Sequence, residues 1–379
     1  MNYINIGFLA LSGLCLLLGF LLGLKRGIGK AIIRLIVVLA AIAVVFIFKD
    51  KIGDFVLNFK IGTQTVQEFI MSKVPEDFQS MEDTIIPIVK LIIIVVAFIL
   101  GVIILQLVSL IVSAILGAIF AREAKSRFVG GIVGLVQGAV IAIALCVPLA
   151  GVCANVGKLT EVEVNDNKLV TLPANFDCNE AVSSGAGKVF YEKGNFLFAK
   201  IAVTTTEDGK KVTLDGQIDA LVGAAKMANE LRALKDIDFS SGLNTNNVKE
   251  LKEVLANLDT INGELTEESQ ETINALITEL ADTFDVPVDI SDLDLSTINF
   301  EQEAGLLDTI VDYQEDGSID DVNAMVQNLA NSSLALAALD SVDVSIDVTE
   351  EQQAEVEAAL ANVSDPEKVA AIKALFGIE

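Results

Sequence analysis

The feature of this sequence that most constrains its fold is a set of four long apolar segments near its N-terminus. They cover residues 4–24, 31–48, 91–116 and 128–152. The hydrocarbon core of a bilayer is about 30 Å thick, and an α-helix needs about 20 mostly apolar residues to cross it. The segments therefore predict an all-α membrane domain with four transmembrane helices, that is, a multi-pass membrane protein.

The distribution of charge divides the chain after residue 154. Residues 1–154 contain 12 Lys and Arg against 8 Asp and Glu, whereas residues 155–379 contain 14 against 44. This break predicts two domains, a transmembrane domain over 1–154 and an acidic soluble domain over 155–379. The net charge of −26 argues against nucleic acid as a partner, because phosphate binding needs clustered Lys and Arg.

The acidic domain is predicted to be α+β and mostly helical. Residues 155–215 are rich in β-branched and aromatic residues and predict a β-rich segment, in which TTTEDGKKVTL is the clearest hairpin. In residues 216–379, Ala, Leu and Glu recur at helical spacing and predict mainly helices. Thr349 and Gln352 stand at the spacing of a capping box that begins one of these helices.

Basic residues indicate the orientation of the membrane domain. One cluster of basic residues follows the first apolar segment, and another precedes the last one. The positive-inside rule places such clusters in the cytoplasm. The topology-determining residues are Lys25, Arg26, Lys30, Arg34, Arg122, Lys125 and Arg127. Arg34 is expected to snorkel toward the headgroups, because it stands near the start of an apolar segment. The N-terminus and the acidic domain are therefore predicted to lie outside the cytoplasm.

Small residues predict how the helices pack. Glycines spaced four apart allow the close backbone approach on which helix association in lipid depends. The predicted packing residues are Gly19, Gly23 and Gly27 in the first helix and Gly130, Gly134 and Gly138 in the last. Gln106, Ser109, Ser113 and Gly117 share a face of the third helix, where either interhelical hydrogen bonds or a polar pathway would explain them. Packing is the favoured interpretation.

The residue types present argue against catalysis. Histidine is absent, which excludes Ser-His triads and His metal ligands, and the four cysteines have no CxxC spacing. No nucleophile, base and oxyanion group can be matched from motifs. The sequence therefore predicts a protein that is not an enzyme and has no cofactor.

One segment partly matches a calcium-binding loop. Its candidate ligands are Asp312, Gln314, Asp316 and Asp320, with Gly317 at the turn position. Gln314 replaces an acid or Asn, and Asn323 stands where a bidentate carboxylate is needed, so only weak calcium binding is predicted. The alternative, which is favoured, is that Gly317 ends one helix and Asp320 caps the next.

Two motifs give the first 154 residues a resemblance to a known family. GFLLGLKRGIGKAIIRLI joins a glycine-ended first helix to a basic turn, and SRFVGGIVGLVQGAVIA places a basic residue before a glycine-rich last helix. In both motifs the chain resembles the colicin V production protein family of bacterial inner-membrane proteins. The resemblance implies a location in the bacterial plasma membrane and an accessory role in toxin biosynthesis, namely production or export of a toxin peptide, with effects on the cell envelope. It implies no catalytic residues.

Three functions follow as alternatives. The first is the non-enzymatic membrane accessory protein that the resemblance implies, and the second is a channel or transport component built from an oligomeric bundle. The third is a membrane-tethered binding or sensing module. The predicted partners are the lipid bilayer, a second copy of the chain in a homo-oligomer, and a basic peptide or envelope protein at the acidic domain.

Overall fold

The computed structural model shows a predominantly helical protein. It describes residues 2–72, 82–120, 126–164, 167–168, 170–206, 209–237, 245–284, 298–307, 322–334, 336, 339 and 348–378. The helices are α1 Tyr3–Leu57, α2 Val66–Met71, α3 Glu82–Phe120, α4 Arg127–Leu159, α5 Cys178–Ser183, α6 Gly185–Ile201, α7 Leu214–Arg232, α8 Thr245–Glu264, α9 Glu267–Phe284, α10 Val322–Asn331, α11 Glu350–Leu360 and α12 Pro366–Leu375. A 3₁₀ helix, Ala233–Asp236, follows α7.

Short strands connect some of these helices. They are β1 Lys60–Ile61, β2 Gln64–Thr65, β3 Glu163–Val164, β4 Asn167–Lys168, β5 Val203–Thr205 and β6 Lys211–Thr213. Strands β1 and β2 are antiparallel, as are β5 and β6. In the second pair Val203 lies opposite Thr213 and Thr205 opposite Lys211, so the predicted TTTEDGKKVTL hairpin is confirmed.

The chain forms two compact units. The first comprises residues 1–162 and 168–218, and the second comprises residues 163–167 and 219–379. The first unit thus contains the apolar helices together with α5, α6 and the β5–β6 hairpin. This grouping differs from the predicted division after residue 154, because residues 168–218 pack on the apolar helices.

Among the described residues, three helices are long and apolar enough to cross a membrane: α1, residues 85–116 of α3, and α4. They fit a helical membrane protein. The first and second predicted segments both lie in α1, whose 55 residues would measure about 80 Å if the helix were straight. The helix is not straight, because Gly27 has a φ of 73° and a ψ of 172°, which interrupts the helical backbone.

The part of α1 before Gly27 runs antiparallel to α4. Glycines of the two helices meet so closely that a Cβ atom added at Gly23 would lie 2.9 Å from the Cα atom of Gly134. Nearer the start of α1, Phe8 packs on Cys146 and Ala150, which belong to the later part of α4. The start of α1 and the end of α4 are therefore at the same end of the bundle.

The part of α1 after Gly27 runs antiparallel to α3. Gly101 faces Val45, and Gly53 faces Ile94. Residues later in α1 therefore contact residues earlier in α3. At the end of this part, Lys49 Nζ donates a hydrogen bond of 2.6 Å to the carbonyl oxygen of Val203. The segment just before Val203 lies on the later part of α4, where Phe198 meets Gly151. The chain therefore reverses at Gly27, and both arms of α1 end near the later part of α4.

The hydrogen bond of Lys49 gives a stability prediction. Lys49 is 5% exposed, and its ammonium group also pairs with Asp50 at 3.2 Å. We expect Lys49→Met to lower the free energy of unfolding by about 1–3 kcal/mol, because the Val203 carbonyl loses a charged donor. Thermal denaturation of the full chain in detergent measures this. Lys51→Met removes an exposed charge from the same helix and is the matched control; equal melting temperatures for both variants would contradict the prediction.

The prediction of a β-rich segment over residues 155–215 is wrong for most of its length. Helix α4 continues to Leu159, and within the predicted β-rich range α6 covers KVFYEKGNFLFAKI, whose Val, Phe and Tyr residues favour strands. The buried residues of α6 include Gly194, Phe198 and Ile201, whose spacing of four and three is helical. Packing of this face against α4 outweighs the strand preference of the Val, Phe and Tyr side chains.

The second unit is built from helices, as predicted for residues 216–379. The capping box is present: Thr349 Oγ1 accepts a hydrogen bond from Gln352 N, and Gln352 Oε1 accepts one from Thr349 N. The buried carboxylate of Glu303 accepts hydrogen bonds from Ser332 Oγ at 2.6 Å and Ser333 N at 2.9 Å. Lys368 Nζ donates to the Ser332 carbonyl oxygen at 2.9 Å. These bonds join residues 298–307, α10 and α12.

Candidate functional site

The arginines of α1 lie at the end of the bundle where the chain reverses. Arg34 is 6% exposed and shares the buried face of α1 with Ala31 and Val38. The expectation that Arg34 snorkels is therefore wrong, since the side chain lies among the helices. The reason is its spacing, which places it three residues after Ala31 and four before Val38, on the face that packs inside the unit.

Arg26 links α1 to α3. Its Nη1 atom donates a hydrogen bond of 3.5 Å to Ser113 Oγ, and its charge lies close enough to act on Arg34. The register between α1 and α3, set by the Val45 and Gly101 contact, brings Arg34 level with Ser113 as well. Two guanidinium groups and one hydroxyl therefore converge near the reversal at Gly27.

The polar face of α3 continues from this point. Ser109 and Ser113 are buried at 1% and 3% exposure. Ser109 Oγ donates to the Gln106 carbonyl oxygen at 2.7 Å, and Ser113 Oγ donates to the Leu110 carbonyl oxygen at 3.2 Å. Such local bonds satisfy the hydroxyl donors within the helix. The hydroxyl oxygens remain able to accept, as Ser113 does from Arg26.

Several buried donors lack a protein acceptor. Among the residues that the structure describes, no acceptor meets Nε or Nη1 of Arg34, Nε2 of Gln106 or Nε2 of Gln137. Gln137 lies on α4, is 3% exposed, and was not singled out from the sequence. The sequence does contain a sign of its burial, because a side-chain amide in an otherwise apolar, glycine-rich helix is expected to face protein rather than lipid. We call Arg26, Arg34, Gln106, Ser109 and Ser113 the polar cluster.

The structure brings all six predicted packing glycines together. Gly19 and Gly23 of α1 lie against Gly134 and Gly130 of α4, Gly138 lies against Cys15 and Leu16, and Gly27 faces Gly130. A Cβ atom added at Gly130 would lie 2.8 Å from Gly27 Cα. The contacts are between backbones, so no side chain could move to make room. Gly19, Gly23, Gly27, Gly130, Gly134 and Gly138 are called the glycine interface below.

The predicted topology-determining residues lie near the reversal where the structure describes them. Lys25, Lys30 and Arg127 are exposed. Arg122 and Lys125 lie outside the described residues. Together with Arg26 and Arg34, the described members give this end of the first unit a strong positive charge.

An open cleft of about 430 Å³ lies at the other end of the first unit. It is lined by residues 160–161, 168, 170–173 and 175–179, including Glu161, Lys168 and Asp177. The Cys178 thiol also lines it and packs on Cys153 of α4. Cys153 Sγ donates a hydrogen bond of 3.7 Å to the Cys178 carbonyl oxygen, and the interaction with the Cys153 side chain lowers the pKa of the Cys178 thiol below its ordinary value. The mixed charges of this cleft do not indicate one class of ligand.

The candidate calcium ligands Asp312, Gln314, Asp316 and Asp320 lie outside the described residues, so that site stays a prediction. Asn323, at the last position of the candidate loop, lies in the first turn of α10. Over the described ranges, no group of three or more Cys, Asp and Glu side chains is arranged to hold a metal ion.

Comparison with known proteins assigns neither a family nor a function to the chain. No family model, no curated protein and no solved structure matches the chain. The resemblance to the colicin V production family therefore stays a prediction, carried by the two motifs around Gly27 and Gly130.

Proposed function

We propose that this chain is a non-enzymatic, multi-pass membrane protein that anchors an acidic domain at the outer face of a bacterial plasma membrane. Its role is that of an accessory protein for toxin peptide production and envelope maintenance, as its resemblance to the colicin V production family implies. The observation that carries the anchoring role is the reversal of α1 at Gly27, which returns the chain to the end of the bundle where α4 ends.

The reversal supports four membrane crossings rather than three. The arm of α1 before Gly27 is about 36 Å long and the arm after it about 45 Å, at 1.5 Å per residue. Each arm exceeds the hydrocarbon thickness of about 30 Å. With α3 and α4 the bundle then has four spans, and the N-terminus, the end of α1 and the end of α4 are on one side.

The distribution of charge supports the proposed orientation of the bundle in the membrane. Lys25, Lys30 and Arg127 are exposed at the end where the chain reverses, which the positive-inside rule places in the cytoplasm. The opposite end continues into the chain that holds 44 of the 52 acidic residues. An acidic domain in the outer compartment is suited to a cationic partner, such as a basic toxin peptide or envelope protein.

Deletion and complementation test this role. In the bacterium that encodes the chain, deletion is expected to lower the amount of secreted toxin peptide or to raise sensitivity to an envelope-disrupting detergent. The wild-type chain restores both properties, whereas a chain truncated after residue 218 inserts but does not restore them, because residues 219–379, most of the acidic domain, are missing. A deletion strain that matches its parent in both assays would contradict the proposal.

The polar cluster favours a second candidate function, a channel or transport component formed by an oligomer. Buried polar groups within a span are costly and commonly mark pathways for ions or solutes. Purified protein in vesicles loaded with ion-sensitive dyes separates the two functions. The accessory role predicts no flux above that of empty vesicles, and the transport role predicts flux that Arg34→Met changes.

A further inference from the structure

The positive charge at the reversal has no balancing carboxylate among the described residues of the apolar helices. The acidic residues of α1 are Asp50 and Asp54, and those of α3 are Glu82 and Asp83. All four belong to the opposite end of the bundle, and α4 has none. Within the described part of these helices, Arg26, Arg34 and the exposed Lys25, Lys30 and Arg127 therefore form a cationic region with no facing carboxylate.

Burial makes this imbalance costly at Arg34. A guanidinium removed from water is stabilised only when it is paired and hydrogen-bonded. Arg34 is 6% exposed, and neither Nε nor Nη1 meets an acceptor among the described residues. Nε and Nη1 belong to the two different donor edges of the guanidinium, each of which is completed by Nη2, and either edge is suited to recognition of an oxyanion.

The neighbours of Arg34 point to the same class of ligand. Arg26 adds a second guanidinium, and the Ser113 hydroxyl that it contacts already donates to a backbone carbonyl. Deeper in the bundle, the unpartnered atoms of Gln106 and Gln137 are also donors. A cationic set of donors favours an anionic group rich in acceptors and disfavours a cation.

We propose that Arg34 and Arg26, the latter positioned by its hydrogen bond to Ser113, form a binding site for a phosphate-class oxyanion at the inner end of the bundle. The anion accepts from an unpartnered donor of Arg34 and from Arg26, and it offsets the positive charge of the two guanidinium groups. Its source is either the headgroup of an anionic phospholipid or a soluble phosphate. The inference concerns binding alone, so it stands or falls independently of the accessory role.

Thermal denaturation of the purified full chain in non-ionic detergent, followed by circular dichroism, tests this site. The probes are dioctanoyl phosphatidylglycerol, dioctanoylglycerol as the lipid without phosphate, and inorganic phosphate against chloride at equal ionic strength. We expect a phosphate-bearing probe to raise the melting temperature by about 5 °C at roughly a hundredfold excess over its Kd. Arg34→Met should raise the Kd of that probe at least about tenfold, because charge-assisted hydrogen bonds to the anion are lost.

Lys25→Met is the matched control, since it removes one exposed positive charge from the same helix. It should retain the wild-type response. A response to phosphatidylglycerol alone identifies the lipid as the source, and a response to inorganic phosphate as well identifies a soluble anion as sufficient. No response to either phosphate probe, or equal responses of Arg34→Met and Lys25→Met, would overturn the proposal.

Arg34→Met is expected to fold, because an apolar side chain of similar length often replaces a buried charge without loss of stability. Should it show no cooperative melting, Arg26→Met takes its place in the same titration. Arg26→Met with the affinity of the wild-type chain would then overturn the proposal.

Discussion

Gly23→Leu is expected to disrupt the bundle. A Cβ atom at this position would lie 2.9 Å from Gly134 Cα and 3.0 Å from the Gly130 carbonyl carbon, and still closer to the Gly130 carbonyl oxygen. Overpacking usually costs about 1–3 kcal/mol when side chains can adjust. Here the obstacle is backbone, so α1 and α4 must separate, and the loss should reach or exceed the upper end of that range. The melting temperature of the first unit should fall by about 10 °C.

Gly13→Leu is the matched control for this experiment. Gly13 lies in the same arm of α1, and a Cβ atom added there meets nothing within 4 Å. The same leucine should therefore leave the melting temperature within a few degrees of the wild-type value. Thermal unfolding of full chains in one detergent compares the two variants directly. If both leucines had the same effect, the glycine interface would not be holding α1 on α4.

Local signals in the sequence were sufficient for several elements. The Thr349 capping box and the β5–β6 hairpin depend on residues close together in the chain, and both are present. The glycine rows could be read from their spacing of four, because that spacing places small residues on one helix face. The contact between the two rows follows once the helices run antiparallel.

Other features depend on packing that the sequence does not display. Helix α6 has aromatic and β-branched residues typical of strands, yet it is helical because Phe198 and Gly194 pack on α4. Arg34 was expected at the headgroups, although its spacing from Ala31 and Val38 turns it inward. Gln137 can be recognised as a buried polar residue with an unpartnered amide only from the structure.

The orientation of the bundle predicts an all-or-none difference in cysteine labelling. A site on the outer side of the membrane is exposed to the medium, and a site on the cytoplasmic side is not. Ser364 is exposed in the turn between α11 and α12, and Ser126 is exposed at the start of α4. Both changes to cysteine leave the charge pattern unaltered. Three of the four native cysteines are buried, which keeps background labelling low, and the wild-type chain measures that background.

Labelling with a membrane-impermeant maleimide on intact cells, compared with cells made permeable, is the most direct test of the proposed orientation. We expect Ser364→Cys to react on intact cells, and Ser126→Cys to react only after permeabilisation. Labelling of Ser126→Cys but not Ser364→Cys on intact cells would place the acidic domain in the cytoplasm. Labelling of both sites would contradict the four-span bundle.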